Sequence, residues 1–537
     1  MKKFRSTFSL WFAALFLLGI GGLSACNPDD EEEQSELSRM FMPTGVIGST
    51  TGETQVRLSW KPSLYATGTI TYTVEVAADT LFATPVIYTG VTDTASIVLT
   101  DDQIPTKQKF FARVKTNGQE NTPESKWLVS NGFSIRGVQA FTNVPVNSAD
   151  VTDRSVRLRF TPREGITRIV VTPMGGTAQE ITLSASDLAA GFYIADNLTG
   201  GTNYNAEIFA GTKSYGITTF QTKQPLSGNI IDLRGITGRP AVLQDTITQI
   251  ENGSTIILKR GQTYTIAAAT NLSKSVTITS GSDLTEPNPA TIYFTSNFGV
   301  VAGSSIDHII IKDVNLTGSD ATAKYVFNIN TASTIGTVTF DNVKASMFRG
   351  FFRLQTQPTT ITTLTLNNSV IDSIGGFGVV NVDLPTSQIQ NILITNSTIS
   401  KAEKVISSKN NSTSVLFENV TVNESPSLGN YLVDYSTSGA NNVTNGVKIR
   451  NTILGIGKAG NQGIKGVRAG TSTLVEVANS FSTADYMLAP TSNFAIPGLT
   501  AYSATSLALW QNPKNGDFHF RDAAFPGKDT SGDPRWR

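Results

Sequence analysis

The chain has 537 residues, with 42 Lys+Arg balanced by 42 Asp+Glu, 2 His and 1 Cys, and only 16% of it is charged. So few charges disfavour long solvated helices and suit strands and turns, and the absence of a cationic excess argues against a nucleic-acid partner. One Cys excludes an internal disulfide framework, and a single Cys with two His leaves no His/Cys zinc site.

Lys2, Lys3 and Arg5 precede the apolar run Leu10 to Ile20, which is too short for a comfortable membrane span. The run ends in Leu23-Ser24-Ala25-Cys26, which resembles the lipobox of bacterial lipoproteins. The resemblance implies a signal peptide over 1–25 and lipidation of Cys26 as the only anchor, with an outer-membrane, cell-surface location. Residues 26–37 include the run Asp29-Asp30-Glu31-Glu32-Glu33, an acidic tether that cannot pack. It is similar to the surface-export signal of Bacteroidetes lipoproteins. Loss of the leader leaves 39 cations against 42 acids, a net charge near −3.

Two all-β sandwiches are expected next, over 38–137 and 138–224. Gln55–Trp60, Tyr72–Val76 and Phe110–Val114 alternate apolar and polar residues, and the order recurs at Ser155–Phe160 and Thr167–Val171. A strand closed by Trp60 before Lys61-Pro62, and the Leu198…Thr202-Asn203-Tyr204…Ile208 spacing, resemble fibronectin type III domains. Such modules bind proteins or glycans, or serve as a stalk; neither segment concentrates exposed aromatic residues.

The C-terminal half carries an internal repeat: an apolar residue, any residue, Asn or Asp, a small or β-branched residue, any residue, then an apolar one. Its Asn or Asp falls at Asp313, Asn342, Asn368, Asn396, Asn419 and Asn451. Six copies at this spacing predict a solenoid whose units turn at the Asn, a residue that tolerates left-handed backbone and can bond the matching amide of the next coil. The pattern resembles the pectate-lyase superfold, which implies a right-handed parallel β-helix over 225–490, with a C-terminal cap and tail over 491–537. The endings Gly516–Phe520 and Ser531-Gly532-Asp533-Pro534-Arg535-Trp536 are similar to uncharacterised β-helix modules of Bacteroidetes surface lipoproteins found beside pectin-utilisation proteins. Neighbouring glycan-uptake proteins are the partners this implies.

Enzymes of this fold acting on uronic-acid polymers use a groove along one sheet. A lyase there needs a base and a cation, Ca²⁺ or Arg; a hydrolase needs converging carboxylates. Aligning the Asn positions places Arg349 and Glu403 in one column two coils apart, on the order of 10 Å, with Lys404 one position over. Arg349, Arg353 and Lys404 are the candidate catalytic cations. Lys409, Glu403 and Asp434 are candidate substrate-binding residues. These cations face a polyuronate, or pair with Glu403, Asp372 and Asp383 as ordinary coil residues. No acidic cluster in the repeats predicts a metal site, so Ca²⁺ enters only with the lyase reading. The expected function is binding of an acidic, pectin-like polysaccharide in the groove; the alternatives are a polysaccharide lyase with an Arg or Lys base, and an adhesion protein.

Overall fold

The computed structural model describes residues 38–65, 68–83, 85–435, 440–458 and 463–537. The leader, Cys26 and the acidic tether lie outside the described residues. None of the described helices is long and apolar enough to cross a membrane.

Residues 38–139 make one compact unit, and the bulk of 140–537 the other. The first is an antiparallel sandwich. Three strands, Thr44–Thr51, Gln55–Lys61 and Ser96–Thr100, face four: Tyr72–Ala77, Tyr88–Thr92, Phe111–Thr116 and Leu128–Val129. The period-two alternation turns Val56, Leu58 and Trp60 inward, and Trp60 meets Tyr72 edge-on at 5.5 Å. The second unit opens with a similar sandwich, in which Ile166–Pro173 and Asn203–Ala210 pair in a four-stranded sheet. The Tyr204 hydroxyl accepts the Thr199 N–H at 2.8 Å, fixing the corner that the Leu–Thr–Tyr spacing predicts. One piece of this sandwich departs from the all-β expectation: Ala185–Ala190 is helical. Ser184 and Asp187 form a capping box at its start, and Gly191 ends it in left-handed backbone.

Arg234 joins this sandwich to the first coil. Its guanidinium reaches Asp153 of the sandwich at 3.2 Å and Asp232 of the coil at 2.8 Å. Arg157 of the sandwich donates to the Leu284 carbonyl. The helix Val242–Ile247 then covers the open end of the solenoid, burying Val242, Leu243 and Ile247 over the first coils.

The remainder is a parallel β-helix. Three parallel sheets run along it, named here A, B and C in the order the chain meets them in each coil. Sheet A stacks Ile256, Ile278, Ile311, Phe340, Leu366, Ile394, Phe417, Ile449 and Val477, one from each of nine coils. Sheet B stacks Ile292, Leu316, Ala345, Ile371, Ile399, Val422 and Leu454. Sheet C stacks Phe298, Phe327, Phe352, Val380, Ile406, Val433 and Val467. The three stacks converge on one continuous core. Pairing continues beyond residue 490, since Phe481 pairs with Thr500.

The A-to-B corner is the sequence repeat made solid. Asp313, Asn342, Asn368, Asn396, Asn419 and Asn451 all have φ between 48° and 56°. Asn479, at φ 46°, is a seventh copy that the pattern missed because Ser482 replaces its last apolar residue. Amide rungs join Asn342 to Asp313 at 3.0 Å, Asn419 to Asn396 at 3.0 Å and Asn479 to Asn451 at 2.8 Å. Asn396 instead donates to Asn367, because Asn368 Oδ1 is held by Arg535.

Arg535 belongs to a tail that runs back over this corner. Ser531 Oγ donates to the Asn479 carbonyl, the Gly532 N–H to the Asn451 carbonyl, and the Asp533 N–H to Thr421 Oγ1. Trp536 Nε1 donates to Thr398 Oγ1 at 2.7 Å. Gly532 lies at φ +80°, and a Cβ there would sit 2.9 Å from Thr421 Oγ1, so close passage over the coil requires glycine.

Candidate functional site

The outward face of sheet C gathers most of the candidate residues. Pairing fixes one column as Asn328, Arg353, Asn381, Ser407, Asp434 and Arg468. A second column holds Tyr325, Gly350 and Gly378, and continues through Lys404 to Tyr431 and Lys465. Arg349 and Phe377 precede the paired glycines Gly350 and Gly378 and so sit one position to the side.

Phe377 organises the upper end. The Arg353 guanidinium lies 3.7 Å from the Phe377 ring centroid, that of Arg349 lies 4.6 Å from it, and Tyr325 is 5.9 Å away ring to ring. Gly350 makes room for this cluster, since a Cβ there would fall 2.9 Å from Phe377 Cβ and 3.1 Å from the Tyr325 ring. Asp383 sits alongside and pairs with both Arg353, at 2.5 Å, and Lys409, at 2.7 Å. Burial by itself would raise the Asp383 pKa. The hydrogen bonds and charges of Lys409 and Arg353 outweigh burial and hold it below the usual carboxylate value. A depressed carboxyl supports the fold above its unfolded pKa of about 3.9 and loses that support as pH falls through its folded value. The cluster should therefore hold from neutral pH down to about pH 4 and loosen below it. Asp383→Asn should abolish that acid transition, read as near-ultraviolet dichroism of Phe377 and Tyr325 against pH.

A second cluster lies at the lower end. The Arg468 guanidinium is 4.3 Å from the Tyr431 ring centroid, and its Nε and Nη2 donate to the two Asp434 oxygens at 2.7 and 2.8 Å. Lys465 Nζ stands 5.1 Å from the same ring. Between the clusters lie Asn381, Lys404 and Ser407. Two buried polar atoms without partners, Arg353 Nε and Asn381 Oδ1, occupy neighbouring positions of the first column. Folded proteins keep few such groups.

The structure thus brings Arg349, Arg353 and Lys409 together and sets Lys404 on the same face. It separates the other two acids from them. Glu403 shares the column of Arg349 two coils on, as the alignment of the Asn positions places it, but Phe377 lies on the coil between them and Glu403 pairs with Lys458 at 3.4 Å. Asp434 lies three coils below Arg353 and is committed to Arg468. Of the acids proposed as ordinary partners, Asp383 takes that role, whereas Asp372 accepts from Ser373. The repeat reading missed Phe377, Tyr325, Tyr431, Lys465 and Arg468. The rings were passed over by a search confined to charges, and Lys465 and Arg468 lie on a coil beyond those it aligned.

Among the described residues no group of three or more His, Cys, Asp or Glu is placed to hold a metal ion. The residues present therefore do not fit a Ca²⁺ site. The acids of this face are committed to Arg and Lys instead.

Residues 262–402 match the family model described as Domain of unknown function (DUF4957), and residues 415–536 the one described as Domain of unknown function (DUF5123). No curated protein matches the chain. Among solved structures, a segment of two fibronectin type III domains from chicken tenascin is 16% identical, with a TM-score of 0.18, covering 34% of this chain and 99% of its own. The FN1–FN3 domains of chicken CNTN1 are 11% identical, with a TM-score of 0.16, covering 35% of this chain and 69% of theirs. The C-terminal half of the chain, which forms the solenoid, accordingly carries matches to two families whose descriptions assign no activity.

Proposed function

We propose that this chain is a lipid-anchored surface protein that binds an acidic polysaccharide along sheet C. The observation that supports the reading is a strip of cations on the outward face of sheet C beside the half-buried Phe377, three of which (Arg349, Lys404 and Lys465) form no ion pair among the described residues. Phe377, with the guanidiniums that lie against it, offers a flat surface to a sugar ring, and the cations offer charge to uronate carboxylates. The paired acids Asp383 and Asp434 serve to hold Arg353 and Arg468 in place. The fibronectin-like sandwiches then hold the β-helix away from the anchor, beside glycan-uptake proteins.

A second reading, elimination by a lyase, draws on the exposure of Arg349. As base it would take the proton beside the uronate carboxylate, expelling the glycosidic oxygen and leaving an unsaturated, ultraviolet-absorbing uronide.

Both readings meet one experiment. The purified protein is mixed with homogalacturonan and other uronans, with absorbance followed over time, and is also run through gels containing each polymer. Binding predicts retarded migration, a flat absorbance trace, and reduced retardation in Arg349→Ala and Phe377→Ala. Each exposed cation is worth about 0.5–1 kcal/mol, so removing Arg349 alone should weaken binding roughly two- to fivefold. A rising trace lost in Arg349→Ala would establish the lyase. Neither signal would overturn both and leave adhesion.

A further inference from the structure

Resting on the lipid-anchored part of that reading, we infer that the first sandwich itself touches the membrane. Its tether-side end, built from Phe41, Met42, Leu64 and Tyr65, docks on the lipid surface that holds the anchor. The inference comes from where the chain enters the sandwich and from what that end exposes.

Residues 38–43 lead into the strand Thr44–Thr51, and the loop that follows Gln55–Lys61 returns beside them. Hydrogen bonds fix the two segments. The Met40 N–H donates to the Pro123 carbonyl at 2.8 Å. The hydroxyl of the fully buried Thr116 donates to the Phe41 carbonyl at 2.8 Å and also meets Ser63 Oγ, so one side chain ties both segments down. The backbone is held while the apolar side chains stay in water: Tyr65 is 83% exposed and Leu64 55%, and Phe41 and Met42 are exposed beside them. The Phe41 and Tyr65 rings lie 5.8 Å apart, which joins the two segments into one patch. Soluble surfaces scatter such residues singly, and a patch of them marks a contact.

The rim of the patch is basic. Arg39 and Lys126 line a shallow hollow with Met40, Phe41 and Met42, and Lys61 stands opposite Thr44. Of the two acids in the adjoining loop, Glu120 and Glu124, the second is paired with Lys115 at 2.5 Å. An apolar tip ringed by Arg and Lys suits a bilayer interface, where the rings and the thioether enter the acyl boundary and the cations meet lipid phosphates.

The tether selects lipid as the occupant. Cys26 lies twelve residues before Ser38, and twelve residues span at most about 40 Å. This end of the sandwich therefore cannot leave the neighbourhood of the bilayer. A contact too weak to recruit a free protein then acts at an effective concentration of about a millimolar.

The test uses the leaderless full chain. Cys26 is its only thiol, so it can be coupled to maleimide lipid in phosphatidylethanolamine–phosphatidylglycerol vesicles, whether or not a cell lipidates it. Hydroxyl-radical labelling then compares coupled with free protein. Labelling of Met42 and Tyr65 should fall at least threefold on the vesicles. Labelling of Leu81, past the far end of the strand Tyr72–Ala77, and of Met174 in the second sandwich should hold. Replacing Leu64→Ser and Tyr65→Ser together should restore Met42 labelling on the vesicles. Unchanged Met42 and Tyr65, or an equal fall at Leu81 and Met174, would overturn the contact and leave the anchor standing. The anchor has its own readout, the mass of the Cys26 peptide from cell membranes. An unmodified Cys26 would overturn the anchored reading, and this contact with it, whatever the vesicles show.

Discussion

Asp533→Ala should lower the stability of the β-helix by about 3 kcal/mol, among the largest effects available to a single substitution outside the core. Asp533 is 1% exposed. Its carboxylate accepts from Thr398 Oγ1 at 2.8 Å, from the Arg535 N–H at 3.0 Å and from the Arg535 guanidinium at 3.0 Å. Removing it leaves these donors unanswered and frees the turn that aims Arg535 at Asn368 and Trp536 at Thr398. Five coils, those of Asn368, Thr398, Thr421, Asn451 and Asn479, would lose their common strap. Burial raises the Asp533 pKa more than Arg535 and Thr398 lower it. The folded state therefore holds this proton more tightly than the unfolded chain, so the group's contribution improves as pH falls through its folded pKa towards the unfolded value of about 3.9, and is constant below that. Asn keeps the shape without the charge, so Asp533→Asn should cost less than half as much as alanine, and both deficits should widen in acid, where wild type gains and neither variant titrates at this position. Urea unfolding monitored through Trp510 and Trp536 reads both variants. Equal costs for Asn and Ala would show that the hydrogen bonds contribute nothing.

Phe340→Ala should cost about 3–5 kcal/mol. Phe340 is fully buried where sheets A and C meet, 4.6 Å from Phe351, 6.1 Å from Phe327 and 6.4 Å from Phe352, ring to ring. Its loss opens a cavity that β-strands hydrogen-bonded on both sides cannot close. In a stacked architecture the damage spreads mainly to neighbouring coils. Hydrogen exchange should therefore rise around residues 311–366 and remain near wild type in the tail. The same variant should weaken polysaccharide binding, because Phe352 precedes Arg353 and Phe351 follows Gly350 in the strand that carries the cation row. Uniform destabilisation across the solenoid would contradict this account.

What could be read from the sequence follows from periodicity. The Asn corner was legible because one residue type recurs where the backbone must adopt positive φ, and that requirement is local. The Val56, Leu58, Trp60 alternation was legible for the same reason. Pairing across coils was not, because coil length varies: the corner-to-corner steps differ by several residues, and the extra ones fall in loops. Phe348 and Gly350 show the effect, since their partners on the next coil, Ile374 and Gly378, are two residues further apart than they are. An alignment anchored on Asn drifts by that amount before it reaches sheet C. The drift is why Phe377 escaped notice; it is undone on the following coil, so Glu403 does share the column of Arg349. The tail was visible as a motif, but its contacts reach back as far as Asn368, across 167 residues, and no local pattern encodes them.

The tail that runs back over the Asn corner also bears on how such a protein can change length. Arg535 and Trp536 hold Asn368 and Thr398, so the end of the chain grips coils laid down 167 and 138 residues earlier. Insertion or loss of one coil beneath it moves those partners by about 4.8 Å and takes them out of register. The tail therefore counts the coils it covers, and a solenoid closed in this way can be lengthened by duplication only outside the stretch the tail spans.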